Sequence, residues 1–185
     1  MPPRPWEIIS SRPGESFKIF NIRTDRARSP RTNKEHDFYV LESLDWVNVV
    51  PLTPENEVIL IRQYRHGIRQ VTLEIPGGIV DQGDSPEKAA WRELYEETGY
   101  RGSSMTFLGR VHPNPAFLNN WCHTFLAEKV YLAGEQAQDE KEDIEVVLFP
   151  LKEIPRLIKE EKITHALVLV AFYHFFSKYS RVLER

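Results

Sequence analysis

Short β-rich runs separated by turn residues occupy the chain from residue 38 to residue 76, and they confine it to a domain built around a sheet. The runs are FYVL, WVNVVPL, EVILIRQY and VTLEIP. Each has the length and the Val, Ile, Leu and Tyr content of a strand, and polar or Pro/Gly-containing turns divide them. Directly afterwards, Ser85-Pro86-Glu87 offers a capping hydroxyl, a proline at the first helical position and an acid in the first turn. Gly99 stands where a helix would stop, so the spacing predicts a helix of about three turns between these signals. Further strands are expected at 105–111, 124–127 and 144–149, and closing helices at 152–160 and 165–179. The result is an α+β domain with a mixed sheet.

Ahead of this domain, residues 6–22 hold two apolar pieces, WEIIS and FKIFNI, parted by Arg12-Pro13-Gly14. They read as two strands joined by a turn. Such a pair is marginal alone. The polar stretch 23–36 then separates an N-terminal antiparallel β arm, residues 1–36, from a main domain, residues 37–185. The arm is expected to pack on its own domain or on a partner chain.

Charge and composition exclude several classes of function. A formal net charge of −3 argues against a nucleic-acid backbone binder, which needs a basic face, so a bound phosphate must be met by local charge such as a metal ion. Hydrophobic residues at 41% and charged ones at 28% fit a folded globular chain rather than a disordered one. Cys122 is the only cysteine, which rules out an internal disulfide. The start MPPRPWEIIS lacks the plan of a signal peptide, and the most apolar stretch, 166–176, is too short to span a bilayer, so a cytoplasmic protein is expected.

The chemistry is concentrated in the predicted helix. Arg92-Glu93-Leu94-Tyr95-Glu96-Glu97 sets Glu93 and Glu97 four residues apart, with Glu96 three from Glu93, so the three acids project from one side. Stacked like charges repel, and Arg92 compensates only part of the cluster. In isolation this pattern is a solvated acidic face. Here Ile75-Pro76-Gly77-Gly78 ends a strand just upstream in a glycine pair, which permits close backbone approach and leaves carbonyls free to face a metal. Oxygen-rich carboxylate sites suit hard cations such as magnesium or manganese.

The run from Gly78 through Asp84, Arg92-Glu93-Leu94-Tyr95-Glu96-Glu97 and Gly99 to Tyr100 resembles the Nudix box, with its spacing complete. Asp84 stands where that pattern has glutamate, and Tyr100 where it has an aliphatic residue. The resemblance extends loosely over residues 6–176. It implies a Nudix fold, a mixed sheet sandwiched between helices. It also implies that Glu93, Glu96 and Glu97 with the Gly77 carbonyl hold Mg2+, with Mn2+ as the alternative, while Arg92 orients the carboxylates.

Two further segments are similar to the ADP-ribose pyrophosphatase branch of that family. Upstream, Arg62-Gln63-Tyr64-Arg65 precedes Leu73-Glu74-Ile75-Pro76-Gly77-Gly78. The resemblance makes Arg65 a phosphate contact, a task that suits the paired donors of a guanidinium. Glu74 is a second substrate-site candidate, since strand alternation with Leu73 and Ile75 turns it away from their core side. Downstream, Asp139-Glu140-Lys141-Glu142-Asp143 reads from its residues alone as a solvated acidic loop. The resemblance instead makes Glu142, with Glu140 second, the residue that activates water, beside Glu97 as a further catalytic acid. The turn at 112–120 lacks the acid usual in that branch, so nucleotide sugars beyond ADP-ribose fit as well. His112 and His123 read as hydrogen-bonded structural residues.

The expected activity is hydrolysis of a nucleoside-diphosphate sugar, ADP-ribose to AMP and ribose 5-phosphate foremost. GDP-mannose, other nucleotide sugars or nucleoside triphosphates are alternative substrates. A non-catalytic ADP-ribose-sensing domain is the alternative of another class. The branch further implies a homodimer that exchanges its N-terminal arms.

Overall fold

The computed structural model describes residues 2–138 and 140–179. They group into two compact units, one running to Leu44 and including His112–Trp121, the other comprising Asp45–Val111 and the chain from Cys122 onward.

The first unit is an antiparallel sheet of β1 (Glu7–Ser16), β2 (Asn21–Arg28) and β3 (Glu35–Glu42), in that order. The break expected at Arg12-Pro13-Gly14 is not there. Arg12 pairs with Thr24 and Pro13 with Arg23, and the register shifts before Ser16. β1 is an edge strand, and a proline at an edge need not donate to the ladder. The chain reverses instead at Phe17–Phe20, where the Phe17 N–H donates to the Phe20 carbonyl at 2.9 Å. FKIFNI, expected as a strand, therefore contains the turn. The stretch 23–36, expected as a polar separator, supplies most of β2 and the start of β3. Ion pairs lie across the ladder: Arg26 bridges Glu35 and Asp37, and Arg28 bridges Glu7 and Glu35. The boundary expected after residue 36 falls inside β3. In the same unit His112 Nδ1 lies 3.2 Å from the Asn120 carbonyl, and its ring lies tilted against that of Trp121.

The second unit carries β4 (Trp46–Leu52), β5 (Glu57–Arg65), β6 (Gln70–Glu74), β7 (Gly77–Ile79), α1 (Pro86–Thr98), β8 (Tyr100–Arg101) and β9 (Ser104–Val111). It continues with β10 (Cys122–Glu128), β11 (Tyr131–Leu132), β12 (Ile144–Pro150), a 3-10 turn, α2 (Ile154–Lys159) and α3 (Ala166–Lys178). The main sheet runs β12-β5-β4-β10-β9, with β6 added to β5 and β7 to β4. The β4–β10 pair is parallel and the rest antiparallel, so the sheet is mixed as expected.

Strand alternation decides which side each residue serves. Val50, Val58, Leu60 and Leu126 pack with Val168, Ala171, Phe172 and Phe175 of α3 on one face. Val47, Val49, Ile59, Phe125 and Ala127 pack with Ala89, Ala90 and Leu94 of α1 on the other. The sheet is thus sandwiched between helices. α1 keeps both expected ends: Ser85 Oγ accepts the Lys88 N–H at 3.1 Å, and Gly99 closes the helix at φ 74°. Among the described residues no helix is long and apolar enough to cross a membrane.

Candidate active site

The site grows from the contact between β7 and α1. Gly77 pairs with Asn48 of β4, so closely that a Cβ on Gly77 would strike the Val47 carbonyl and the Asn48 backbone. A Cβ on Gly78 would lie 2.5 Å from the Glu93 carboxylate. Close approach to backbone therefore requires glycine at 77, while glycine at 78 leaves the space that the Glu93 carboxylate occupies, so the acids of α1 sit directly against the strand.

Glu93 and Glu97 turn inward from one helix face and are only 8% and 3% exposed. Glu97 accepts the Gly77 N–H at 2.8 Å. Arg92 Nη1 donates to Glu93 at 2.8 Å and to Glu96 at 3.3 Å, and its Nη2 donates to the Ile79 carbonyl at 2.9 Å. One guanidinium thus ties two acids of the cluster to the end of β7. Burial pushes the Glu93 carboxyl up to about 7, opposed by Arg92 and reinforced by Glu96 and Glu142. Burial pushes Glu97 to about 8; the Gly77 N–H opposes this, and the charges of Glu93 and Glu142 add to it.

Two buried acids thus share a site with too little positive charge. Among the described residues no three acidic, histidine or cysteine side chains converge into a preformed cation cage, and Glu96 is drawn onto Arg92. The donor set nonetheless fits a hard divalent cation. It consists of carboxylate oxygens that the single Arg92 guanidinium neutralises only in part, beside a glycine turn with no side chain to fill the space.

Arg65 and Glu74, nine residues apart at the ends of β5 and β6, form a two-point fork, Nε to Oε1 at 2.8 Å and Nη2 to Oε2 at 2.7 Å. Thr72 Oγ1 donates to Glu74 at 2.6 Å. Glu74 is 2% exposed, and the Arg65 guanidinium holds its carboxyl below the usual range against the opposing effect of burial. The fork uses the Nε and Nη2 edge of Arg65 and leaves Nη1 as the remaining guanidinium nitrogen. Arg65, Glu74 and Gly78 line a cavity of about 290 Å³ together with Trp46, Asn48 and His165.

The acidic loop is exposed at Glu140 and Glu142, and Asp139 lies outside the described residues. Glu142 comes near enough for its charge to act on both Glu93 and Glu97. The two departures in the box lie apart from this cluster: Asp84 pairs with Lys88 at 2.6 Å, and Tyr100 packs against the α1-side core. His123 lies 2.9 Å from Asp45, and burial pushes the Cys122 thiol up to about 12.

Two cavity residues were missed from sequence. Asn48, fixed by its Nδ2 donating to the Leu167 carbonyl at 3.1 Å, carries a buried Oδ1 that has no partner among the described residues. A lone amide inside the apolar run WVNVVPL was the signal available for it. His165, the residue before α3, has a buried Nδ1 with no partner among the described residues, and burial lowers its pKa. Nothing in its sequence context marks it.

The NUDIX domain profile matches residues 44–171, and the chain belongs to the Nudix family. It is 33% identical to the ADP-ribose pyrophosphatase of Bacillus subtilis (strain 168) over 121 residues, which is 65% of each chain. It is 32% identical to the methanol dehydrogenase activator of Bacillus methanolicus over 159 residues, 84% of each. A crystal structure of an ADP compounds hydrolase shares the fold, with a TM-score of 0.84 at 22% identity, covering 98% of this chain and 99% of that one.

Proposed function

We propose that the chain is a divalent-metal-dependent pyrophosphatase of nucleoside-diphosphate sugars, with ADP-ribose, cleaved to AMP and ribose 5-phosphate, as first substrate. The observation that carries this reading is the pair Glu93–Glu97, buried against the glycine turn and adjoining a cavity that Arg65 lines. The names of relatives support the substrate: ADP-ribose pyrophosphatase in Bacillus subtilis and in Mycobacterium tuberculosis, the latter 27% identical over 89% of this chain, and ADP-sugar pyrophosphatase in Mus musculus.

Glu93, Glu96 and Glu97 with the Gly77 carbonyl would hold Mg2+, or Mn2+ in its place. A bound ion supplies neutralising charge to the diphosphate oxygens and lowers the pKa of a water. Arg92 keeps Glu93 and Glu96 on the strand side of the helix. Arg65, oriented by its fork with Glu74, donates through Nη1 to a phosphate oxygen. Glu142, with Glu140 second, accepts the proton of the attacking water. The water oxygen bonds to phosphorus as the bridging P–O bond breaks, and the second phosphate leaves with the bridging oxygen.

The proposal includes a cytoplasmic setting and a homodimer in which the arm packs across to the partner and helps line its nucleotide pocket. Trp6, Ile8 and Ile9 are exposed on the arm, Phe38 and Tyr39 are exposed on β3, and the Phe17 and Phe20 rings lie 5.0 Å apart. Deleting residues 1–24 should give a monomer by light scattering, with weakened substrate binding. A full-length protein that is monomeric at micromolar concentration contradicts the shared site. The substrate itself is tested by a panel of ADP-ribose, GDP-mannose and nucleoside triphosphates with magnesium. Preference for ADP-ribose is expected. Comparable turnover of several sugars would support the broader range that the missing acid at 112–120 allows, and no turnover of any would favour a sensing domain.

A further inference from the structure

The last carbonyls of an α-helix have no partners within it, and in α1 they belong to the turn that carries Glu96 and Glu97. No basic residue lies in that turn. The loop between β11 and β12 provides the donors instead. Ala133 and Gly134 N–H groups both reach the Gly99 carbonyl, at 2.9 and 3.2 Å, and the Ala137 N–H donates to the Glu96 carbonyl at 2.9 Å. Gln136 Nε2 donates to the Glu97 carbonyl. The fit is close: a Cβ on Gly134 would lie 2.7 Å from the Tyr95 hydroxyl.

The other end of the acidic segment is held as firmly. The Gln136 amide also reaches the Ile144 carbonyl at 3.2 Å. Gln138 is bound to Ile144 twice, its Nε2 donating to the carbonyl at 2.9 Å and its Oε1 accepting the Ile144 N–H at 3.2 Å. Ile144 opens β12 and pairs with Gln63 of the main sheet. Between these anchors lies the segment that includes Glu142.

We propose that Gln136 is a positioning residue for the reaction. Its amide gives one hydrogen to the Glu97 carbonyl and the other to the Ile144 carbonyl, which clasps the acidic loop to the end of the carboxylate helix and fixes where Glu142 stands. An amide suits this task because its NH2 carries two donors and no charge. This inference rests on the reading of Glu142 as the base. A base acts only within hydrogen-bond reach of the proton it takes, and a misplacement of about 1 Å can cost about a hundredfold in rate.

Gln136→Met keeps the length of the side chain and removes both donors. With ADP-ribose and magnesium, kcat should fall about tenfold to a hundredfold while KM and Tm stay near wild type. Hydrogen exchange at the Ala137 and Ile144 amides should accelerate in the metal-free protein. The decisive comparison is the double variant: in a Glu142→Gln background, Gln136→Met should cost nothing further. An equal loss in both backgrounds, or a wild-type kcat and unchanged exchange in the single variant, overturns the clasp. A Glu142→Gln protein of normal turnover overturns the base assignment, and the clasp with it. Should Gln136→Met lower Tm substantially, Gln136→Asn, which keeps the amide but shortens its reach by one methylene, makes the same comparison in both backgrounds.

Discussion

Replacing Glu97 by glutamine should stabilise the metal-free protein at alkaline pH, and the gain should fade as pH falls. The folded Glu97 carboxyl titrates at about 8 against an ordinary value of 4.5. Each unit of displacement corresponds to about 1.4 kcal/mol, so at alkaline pH the buried charge costs up to about 5 kcal/mol. The folded state holds its proton more tightly than the unfolded one. Stability from this group is therefore complete below pH 4.5 and is lost as pH rises towards 8. Glutamine stays neutral and keeps an oxygen for the Gly77 N–H, while its buried NH2 costs about 1–3 kcal/mol if unpaired, at either pH. Urea unfolding in the presence of a chelator should thus show the variant gaining roughly 3–4 kcal/mol on wild type between pH 5 and pH 8. Magnesium at a hundred times its dissociation constant should then stabilise wild type by about 2.7 kcal/mol and the variant far less. A difference between the two proteins that is the same at both pH values would refute the reasoning.

Glu142→Gln should lower kcat by about two to four powers of ten while magnesium-induced stabilisation is preserved, and a larger loss in Glu140→Gln would move the base to that residue. Glu74→Gln should weaken the hold on Arg65 and raise KM for ADP-ribose about tenfold with a smaller change in kcat; an unchanged KM would remove Arg65 from the phosphate site. Gly78→Ala forces a methyl into the Glu93 carboxylate, so it should cost about 1–3 kcal/mol in urea unfolding and weaken magnesium binding by calorimetry, whereas a wild-type affinity would detach Gly78 from the metal site.

The parts of the fold legible in the sequence were those with local signals. Ser85 and Gly99 marked both ends of α1 because capping is local chemistry, and the runs from β4 to β6 announced themselves by composition. The arm was misread because its pairing is not local: Arg26 and Arg28 look like solvent-facing polarity until Glu7, Glu35 and Asp37 stand across from them. Proline in β1 signalled a turn, and only the position of β1 at the sheet edge makes it compatible with a strand. Within the site, the convergence of Glu93, Glu97 and the glycine pair followed from helical spacing and adjacency. The Arg65–Glu74 fork is a cross-strand contact of a hairpin, and Asn48 and His165 meet at the cavity from elements more than a hundred residues apart. No periodicity encodes such meetings. Gln136 was silent for the same reason, since its partners are backbone carbonyls that any residue could supply.

If Glu93 and Glu97 hold a divalent cation, as proposed, hydrolysis of a nucleotide-sugar diphosphate depends on their carboxylates. Product analysis by phosphorus NMR after incubating ADP-ribose and magnesium with wild type and with Glu97→Gln tests it most directly. Wild type should release AMP and ribose 5-phosphate in equal amounts, and the variant should be slower by orders of magnitude while remaining folded. Near-wild-type release by the variant at saturating magnesium, or intact ADP-ribose with wild type, would contradict the account.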